Sequence, residues 1–209
     1  MSLTTPQQPT SDTVEHFRLL LVRNFFDART CERIIAETRT AWGGPATIYT
    51  EGSTNPVNES LRKTTRLMLS DETTGWVRRR LLEHKTAVEQ HFGISLNDCE
   101  DPQFLKYGVG DFFVAHQDGN TAQLEYDHLR VRRVSVVVFL IGQAAQPAPV
   151  AYCGGSLVFF DPHVDPSRKE MGAHLYGETG MFAAFPSETT HEVTPVTHGE
   201  RYSIVCWYR

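Results

Sequence analysis

The sequence predicts a mainly β protein with flanking helices, whose core is a double-stranded β-helix (jelly roll) with the N-terminal helices packed on one sheet. Two segments with helical spacing precede residue 93, and eight short apolar segments separated by turn residues follow it. Many short strands after a few helices are typical of a pair of sheets closed upon itself. We therefore expect a single domain over residues 13–209, with supporting elements at 13–100 and the jelly-roll core at 101–209.

The N-terminal half supplies the supporting elements. Residues 1–12 are rich in Pro, Gln, Ser and Thr, which predicts a disordered tail. Residues 17–22 have the length and apolarity of a strand. Asp27 is a typical helix N-cap, and the apolar positions after it predict a helix that ends at residues 43–45, Gly-Gly-Pro. Residues 48–65 are polar and predict a long exposed loop.

A second helix and the strands of the core complete the prediction. Residues 66–69 read as a strand, and 74–92 as a helix with an apolar side formed by Val77, Leu81, Val88 and Phe92. The core strands are expected at residues 104–107, 112–116, 134–140, 156–160, 173–176, 181–185, 191–196 and 202–207. Residues 143–151 read as a loop between strands.

Composition and charge argue against several classes of protein. A net charge of −5 argues against binding to nucleic acid or to an anionic membrane, and the clusters at residues 78–80 and 130–133 read as solvated arginines. The four cysteines form no C-x-x-C pair, which is typical of reduced, packed thiols. The N-terminus lacks a signal sequence and the apolar runs are too short to span a bilayer, so we expect a cytoplasmic protein.

The strongest indication of chemistry is the triplet His116-Gln117-Asp118. Two ligands at i and i+2 reach the same side only where a strand leaves its pleat, and Gly119-Asn120 supplies a turn there. A third ligand is available in His191, at the start of a later strand. Two histidines and one carboxylate form the facial triad of non-haem Fe(II) oxygenases, which leaves coordination positions open.

Arg201 lies ten residues beyond His191, on the last predicted strand. Strand alternation places Arg201, Ser203 and Trp207 on one face. An arginine inside a barrel is costly unless it meets an anion, and its planar fork matches a carboxylate. The distal carboxylate of 2-oxoglutarate is a natural partner, with the Ser203 hydroxyl as a further donor. A surface arginine paired with Glu200 is the plain alternative.

A second triplet of the same form competes with the first. His163 and Asp165 lie between two prolines, in what reads as a loop, and His174 follows them. The phase of the neighbouring strands fits a site there poorly, so the first triplet is preferred.

Taken together, these segments resemble the 2-oxoglutarate/Fe(II) oxygenases of the prolyl 4-hydroxylase type. The resemblance covers residues 104–209, about half of the chain, and is closest to small bacterial members and to oxygen-sensing animal enzymes. Its carrying segments are residues 106–110, 113–118, 154–157, 191–193, 201–203 and 207–208.

The resemblance implies Fe(II) as metal, 2-oxoglutarate as cosubstrate and ascorbate as a reductant. It assigns His116, Asp118 and His191 as iron ligands and Arg201 as the carboxylate clamp, and expects no catalytic residue beyond the iron centre. Further residues of the cosubstrate pocket would be Tyr107, Leu157, Val193 and Trp207. Phe113 and Phe139 depart from the oxygen-sensing enzymes, which have tyrosines at these positions.

The implied activity is hydroxylation coupled to oxidative decarboxylation of 2-oxoglutarate, on a prolyl residue in a protein or peptide. Hydroxylation of a free amino acid or another small metabolite is the alternative within enzymes. A non-enzymatic, cupin-like metal-binding module is the alternative outside them, because it would explain the three metal ligands without needing Arg201.

Overall fold

The structure, a computed structural model, describes residues 8–48, 57–120, 131–161 and 172–209. Three helices and fourteen strands lie in these ranges. In chain order they are α1 (Ser11–His16), β1 (Leu20–Val22), α2 (Ala28–Thr38), β2 (Trp42–Pro45), β3 (Arg62–Lys63), β4 (Thr65–Met68), α3 (Asp71–Phe92), β5 (Gln103–Tyr107), β6 (Phe112–His116), β7 (Val134–Phe139), β8 (Cys153–Gly154), β9 (Leu157–Phe159), β10 (Ala173–Leu175), β11 (Phe182–Pro186), β12 (His191–Val193), β13 (Val196–His198) and β14 (Arg201–Tyr208).

Two antiparallel sheets form the core. The major sheet has the order β1-β11-β7-β14-β5-β4-β2, and the minor sheet has the order β10-β9-β12-β6-β3. One apolar cluster fills the space between the sheets, and the other joins the outer face of the major sheet to α2 and α3. The predicted class, a jelly roll with helices packed on one sheet, is confirmed.

The two longer helices begin at capped positions. Asp27 accepts a hydrogen bond from the Thr30 N–H at 2.7 Å, and Ser70 caps α3 through the Thr73 N–H at 3.3 Å. α3 ends at Gly93, whose φ of 65° is the left-handed conformation of a helix C-cap. The buried positions of α3 are those predicted: Val77, Leu81, Val88 and Phe92.

The structure corrects the predicted end of the first helix. Residues 42–45 do not terminate α2 but form β2, which pairs with β4. A Cβ on Gly43 would lie 2.8 Å from side-chain carbons of both Leu67 and Thr65, so glycine is required for this close pairing. The residues Gly43-Gly44-Pro45, which are typical of a turn, thus belong to β2 at the edge of the major sheet.

Two further predictions at the N-terminal end were wrong in part. Ser11 and Asp12 begin α1, although they were expected to belong to a disordered tail. The predicted loop ends early, because Arg62 and Lys63 form β3 against β6. Short strands of this kind carry too few residues to show alternation in a sequence.

All four cysteines are buried and unpaired, which agrees with their predicted role as packed thiols. Within the described ranges, no helix is both long and apolar enough to cross a bilayer.

A half-buried histidine on α3 gives the fold a pH dependence. His84 packs edge-on against Phe25 and Phe182, at centroid distances of 5.4 and 5.1 Å, and its Nε2 has no hydrogen-bond partner. Burial, and then the charge of Arg80, lower the pKa of His84 below 6.5. The unfolded chain therefore binds this proton more tightly than the folded chain, so acid destabilises the fold as pH falls below 6.5.

We expect His84→Leu to reduce this loss of stability. The measurement is urea unfolding of the metal-free wild type and variant between about pH 7 and pH 5. His191, whose pKa is also lowered, leaves part of the slope in the variant. Identical pH slopes in the two proteins would exclude His84 as a source.

Candidate functional site

The backbone brings the three predicted metal ligands together at neighbouring strand ends. β6 ends at His116 and β12 begins at His191, and these two residues are directly paired across the minor sheet. Asp118 follows β6, where its N–H donates to the Ser187 carbonyl at 2.9 Å. Asn120, two residues later, has a φ of 56°, as the predicted turn requires.

The three side chains converge on one point. One potential ligand atom from each of His116, Asp118 and His191 lies within 4.8 Å of the others. The Nε2 atoms of His116 and His191 lie 3.5 and 3.6 Å from the two Asp118 carboxylate oxygens.

Hydrogen bonds fix which imidazole nitrogens face that point. His116 Nδ1 lies 2.8 Å from the Val114 carbonyl, and His191 Nδ1 lies 2.9 Å from the Thr189 carbonyl. Because a carbonyl can only accept, both Nδ1 atoms carry the proton and both Nε2 lone pairs are free to bind a metal. The Ser135 hydroxyl donates to Asp118 Oδ2 at 2.7 Å and orients the carboxylate.

The protonation states of the cluster suit a cation. Burial, and then the charge of His116, lower the pKa of His191 to about 4, so its imidazole is neutral at pH 7. Burial raises the pKa of Asp118. The electrostatic interactions with His191 and His116 and a hydrogen bond with Trp207 lower it by more, so the pKa of Asp118 is lowered overall. Two imidazoles and one carboxylate are the donor set that non-haem Fe(II) takes.

Arg201 lies at the closed end of the same interior. Its side chain is 1% exposed, and its guanidinium carbon lies 5.0 Å from the Tyr107 ring centroid and 5.2 Å from that of Phe139. Nη1 donates to the Ser203 hydroxyl at 2.9 Å, while Nε is buried without a partner. The Glu200 carboxylate contacts Tyr202 and Lys106 instead of Arg201.

This geometry fits a dicarboxylic cosubstrate. Across the described ranges, no acidic group pairs with Arg201, so no carboxylate of these residues compensates its buried guanidinium. A charge in such a place is unfavourable unless an anion meets it, and a carboxylate satisfies the fork of donors.

A cavity of about 380 Å³ joins the cluster of His116, Asp118 and His191 to Arg201. That volume is within the range of small-molecule sites. Its walls include four residues assigned by resemblance, all of them buried: Tyr107, Leu157, Val193 and Trp207. Ser203 is buried beside Arg201.

Sequence reasoning missed Tyr152, a buried polar residue next to Arg201. Its side chain is fully buried, and no residue of the described ranges stands in hydrogen-bonding geometry with its hydroxyl. Burial raises the pKa of Tyr152, and the neighbouring Arg201 guanidinium opposes that rise. A Cβ on Gly155 would lie 3.1 Å from Arg201 Cδ and 3.2 Å from Tyr152 Cε2, so glycine lets the two side chains approach. Tyr152 follows residues 143–151, which read only as a loop.

The prediction for Arg132 was wrong. It is 3% exposed rather than solvated, and its guanidinium lies 3.7 Å from the centroid of Trp207. Nε and Nη2 bind the Glu100 carboxylate at 2.6 and 2.7 Å, and Nη1 reaches the Asp118 carbonyl at 3.4 Å. Arg132 therefore links the backbone at Asp118 to Glu100, which lies 32 residues away in sequence.

The competing triplet, His163 and Asp165, lies outside the described residues. His174 lies on β10, where its ring stacks on Tyr176 at 6.0 Å, and it is not part of the cluster around Asp118.

Comparison with known proteins agrees with this geometry. A family model described as the 2OG-Fe(II) oxygenase superfamily matches residues 102–209. The chain belongs to this superfamily. The resemblance found in the sequence is thereby confirmed.

A PKHD-type hydroxylase of Paracoccus denitrificans has a similar sequence. It is 34% identical over 107 residues, which are 51% of this chain and 41% of that protein. The chain thus spans about two fifths of the length of this curated relative.

Two solved structures share the fold. A prolyl-4-hydroxylase of Pseudomonas putida aligns with a TM-score of 0.64 at 22% identity, over 95% of both chains. A prolyl hydroxylase of Trichoplax adhaerens, in complex with a hypoxia inducible factor oxygen degradation domain peptide fragment, aligns with a TM-score of 0.65 at 14% identity. That match covers 94% of this chain and 86% of the other.

Proposed function

We propose that the protein is an Fe(II)- and 2-oxoglutarate-dependent dioxygenase that hydroxylates a prolyl residue in a protein or peptide. The observation that carries the proposal is one cavity with two features. Two imidazoles and a carboxylate converge in it, and Arg201, buried and without an acidic partner in the described ranges, lies at its closed end. A metal-binding module of the cupin kind would have no use for that guanidinium.

In this proposal His116, Asp118 and His191 hold the iron, and Arg201 and Ser203 bind the distal carboxylate of 2-oxoglutarate. Iron and cosubstrate together supply an oxidant able to hydroxylate a C–H bond, with succinate and CO₂ as coproducts, and ascorbate is the reductant implied by the resemblance. The apolar walls, among them Leu157 and Val193, exclude water from the reaction. The protein thus contributes position and exclusion of solvent.

Two observations support a peptide as the substrate. The cavity opens to the surface between the two sheets, where Leu61 is 38% exposed, so a chain can approach the metal ligands from outside. The Trichoplax adhaerens enzyme of the same fold holds a peptide.

The test is succinate release by protein supplied with Fe(II), 2-oxoglutarate and ascorbate. We expect a slow, iron-dependent release of succinate. A proline-containing peptide with blocked termini should stimulate this release, and the same peptide with alanine in place of proline should not. Stimulation by free amino acids alone would contradict the peptide assignment, and the absence of any iron-dependent release would contradict the proposed activity as a whole.

Tyr152 is expected to contribute to cosubstrate binding. Its unpartnered hydroxyl stands beside Arg201, and Phe139 lacks the hydroxyl that oxygen-sensing relatives have. We expect Tyr152→Phe to weaken 2-oxoglutarate binding about tenfold, the effect of a hydrogen bond to a charged group.

The matched control is Tyr202→Phe. The Tyr202 hydroxyl bonds to Glu200 on the other face of β14, so its removal should leave 2-oxoglutarate affinity unchanged. Both affinities are measured by anaerobic titration of the Fe(II) protein. Equal 2-oxoglutarate affinity in Tyr152→Phe and wild type would remove Tyr152 from the site.

A further inference from the structure

We propose that the open end of the cavity contains a second anion subsite, formed by Arg62 and Arg66, that binds a carboxylate carried by the substrate. This inference rests on the proposed Fe(II)- and 2-oxoglutarate-dependent hydroxylation, and it specifies the substrate class whether the substrate is a peptide or a free amino acid. The substrate would bear a carboxylate near the carbon that is hydroxylated, either as an acidic residue of a peptide or as the carboxylate of a free amino acid.

The charge of the cavity wall is the first argument. Four arginines line the cavity, Arg62, Arg66, Arg132 and Arg201, against one acidic residue, Asp118. Iron(II) and 2-oxoglutarate carry opposite charges of equal size, so together they leave this excess of positive charge unchanged.

Two of the four arginines already have a partner or a function. Arg132 is neutralised by the Glu100 carboxylate, which it binds through two nitrogens at 2.6 and 2.7 Å. Arg201 is assigned to the cosubstrate. For Arg62 and Arg66, the described ranges contain no acidic partner, and the intervening Lys63 is paired with Asp111 at 3.5 Å. Two cationic side chains at the entrance therefore remain available for a ligand.

Arg62 is held directly above the metal-binding end of the minor sheet. It pairs with Phe113 of β6, and its guanidinium carbon lies 4.7 Å from the centroid of that ring. The same ring stacks on His116 at 3.5 Å with an interplanar angle of 16°. A group bound to Arg62 is thus one aromatic ring away from a proposed iron ligand.

The hydrogen bonds of Arg62 orient its fork. Nη1 donates to the Thr47 carbonyl at 2.9 Å, which anchors one side of the guanidinium. Within the described ranges, Nε has no hydrogen-bond partner and Nη2 makes no hydrogen bond. These two nitrogens form the edge that binds a carboxylate through parallel hydrogen bonds.

Arg66 approaches the entrance from the major sheet. It lies on β4 opposite Leu105 of β5, and paired residues of antiparallel strands point to the same face. Leu105 lines the cavity, so Arg66 also points to the interior side, and it is exposed at the entrance. The two arginines, four residues apart along the chain, therefore flank the opening from the two sheets.

The test compares the binding affinities of carboxylate probes with those of the corresponding amides. The peptide arm uses a blocked prolyl peptide with glutamate on both sides of the proline and the same peptide with glutamine. The small-molecule arm uses L-proline and L-prolinamide. Affinities are measured by calorimetry on protein loaded with Mn(II) and 2-oxoglutarate, which prevents turnover.

In either the peptide pair or the small-molecule pair, we expect the wild type to bind the carboxylate probe at least about tenfold more tightly than the uncharged analogue. The pair that shows this preference identifies the source of the carboxylate. Arg62→Gln should remove this preference and Arg66→Gln should reduce it. Arg79→Gln, at an exposed position on α3 outside the cavity, should keep it. Added salt should weaken the preference.

Two outcomes overturn the subsite. In the first, the wild type binds neither carboxylate probe more tightly than the uncharged analogue. In the second, Arg62→Gln keeps the preference for the carboxylate probe. The same samples report 2-oxoglutarate binding. Normal 2-oxoglutarate binding without a carboxylate preference contradicts the subsite alone, whereas failure to bind 2-oxoglutarate contradicts the proposed function.

Discussion

Replacement of His191 by alanine is expected to lower Fe(II) affinity by more than about a hundredfold. That loss exceeds the ten- to hundredfold effect typical of a residue that only supports a ligand. His191 Nε2 lies 3.6 Å from Asp118 Oδ2, and its Nδ1 is occupied by the Thr189 carbonyl, so alanine removes a preoriented donor. The measurement is anaerobic equilibrium dialysis of the variant against Fe(II).

The control for this prediction is His174→Ala. His174 is a partly buried histidine on β10, and it lies outside the cluster around Asp118. Its removal should leave iron binding intact. His163→Ala, in the competing triplet, should also bind iron normally. If His163→Ala lost iron while His191→Ala retained it, the wrong triplet would have been assigned.

Replacement of Arg201 by alanine is expected to weaken 2-oxoglutarate binding by about a hundredfold, with iron affinity unchanged. Removing one partner of a buried charge pair typically costs 2–5 kcal/mol, and tenfold in affinity corresponds to about 1.4 kcal/mol. Affinity for 2-oxobutyrate, which lacks the distal carboxylate, should change little. The measurement is anaerobic titration of the Fe(II) protein with each acid.

Two further variants make this result specific. Arg201→Lys keeps the charge but loses the planar fork, so its 2-oxoglutarate affinity should lie between those of alanine and wild type. Arg79→Ala removes an exposed arginine from α3 and should bind 2-oxoglutarate like wild type. Wild-type affinity in Arg201→Ala would contradict the role of Arg201.

The parts of the site that the sequence predicted are those with local signals. His116 and Asp118 are two residues apart before a turn, and Arg201 and Ser203, also two residues apart, share one face of a strand. His191 has no local signal of its own. Its place in the hypothesis came from chain order and resemblance, and the structure brings it opposite His116 in the minor sheet.

The parts that the sequence did not predict depend on distant contacts. Arg132 was read as solvated because its partner, Glu100, precedes it by 32 residues and no local pattern connects them. Tyr152 follows an Ala- and Pro-rich stretch, and only the fold brings it to Arg201. The helix at Asp27 was expected to end at Gly43-Gly44-Pro45, because glycine and proline usually end helices and mark turns. In the structure, Gly43 is required instead by the close pairing of two strands.

The central claim is that one cavity binds Fe(II) through His116, Asp118 and His191, and 2-oxoglutarate through Arg201. Visible absorption under anaerobic conditions tests it most directly, because chelation of Fe(II) by a 2-oxo acid gives a weak charge-transfer band. We predict that the band requires both Fe(II) and 2-oxoglutarate, is lost in His191→Ala, and needs far more 2-oxoglutarate in Arg201→Ala. A wild-type protein that binds Fe(II) yet develops no band at saturating 2-oxoglutarate would contradict the claim.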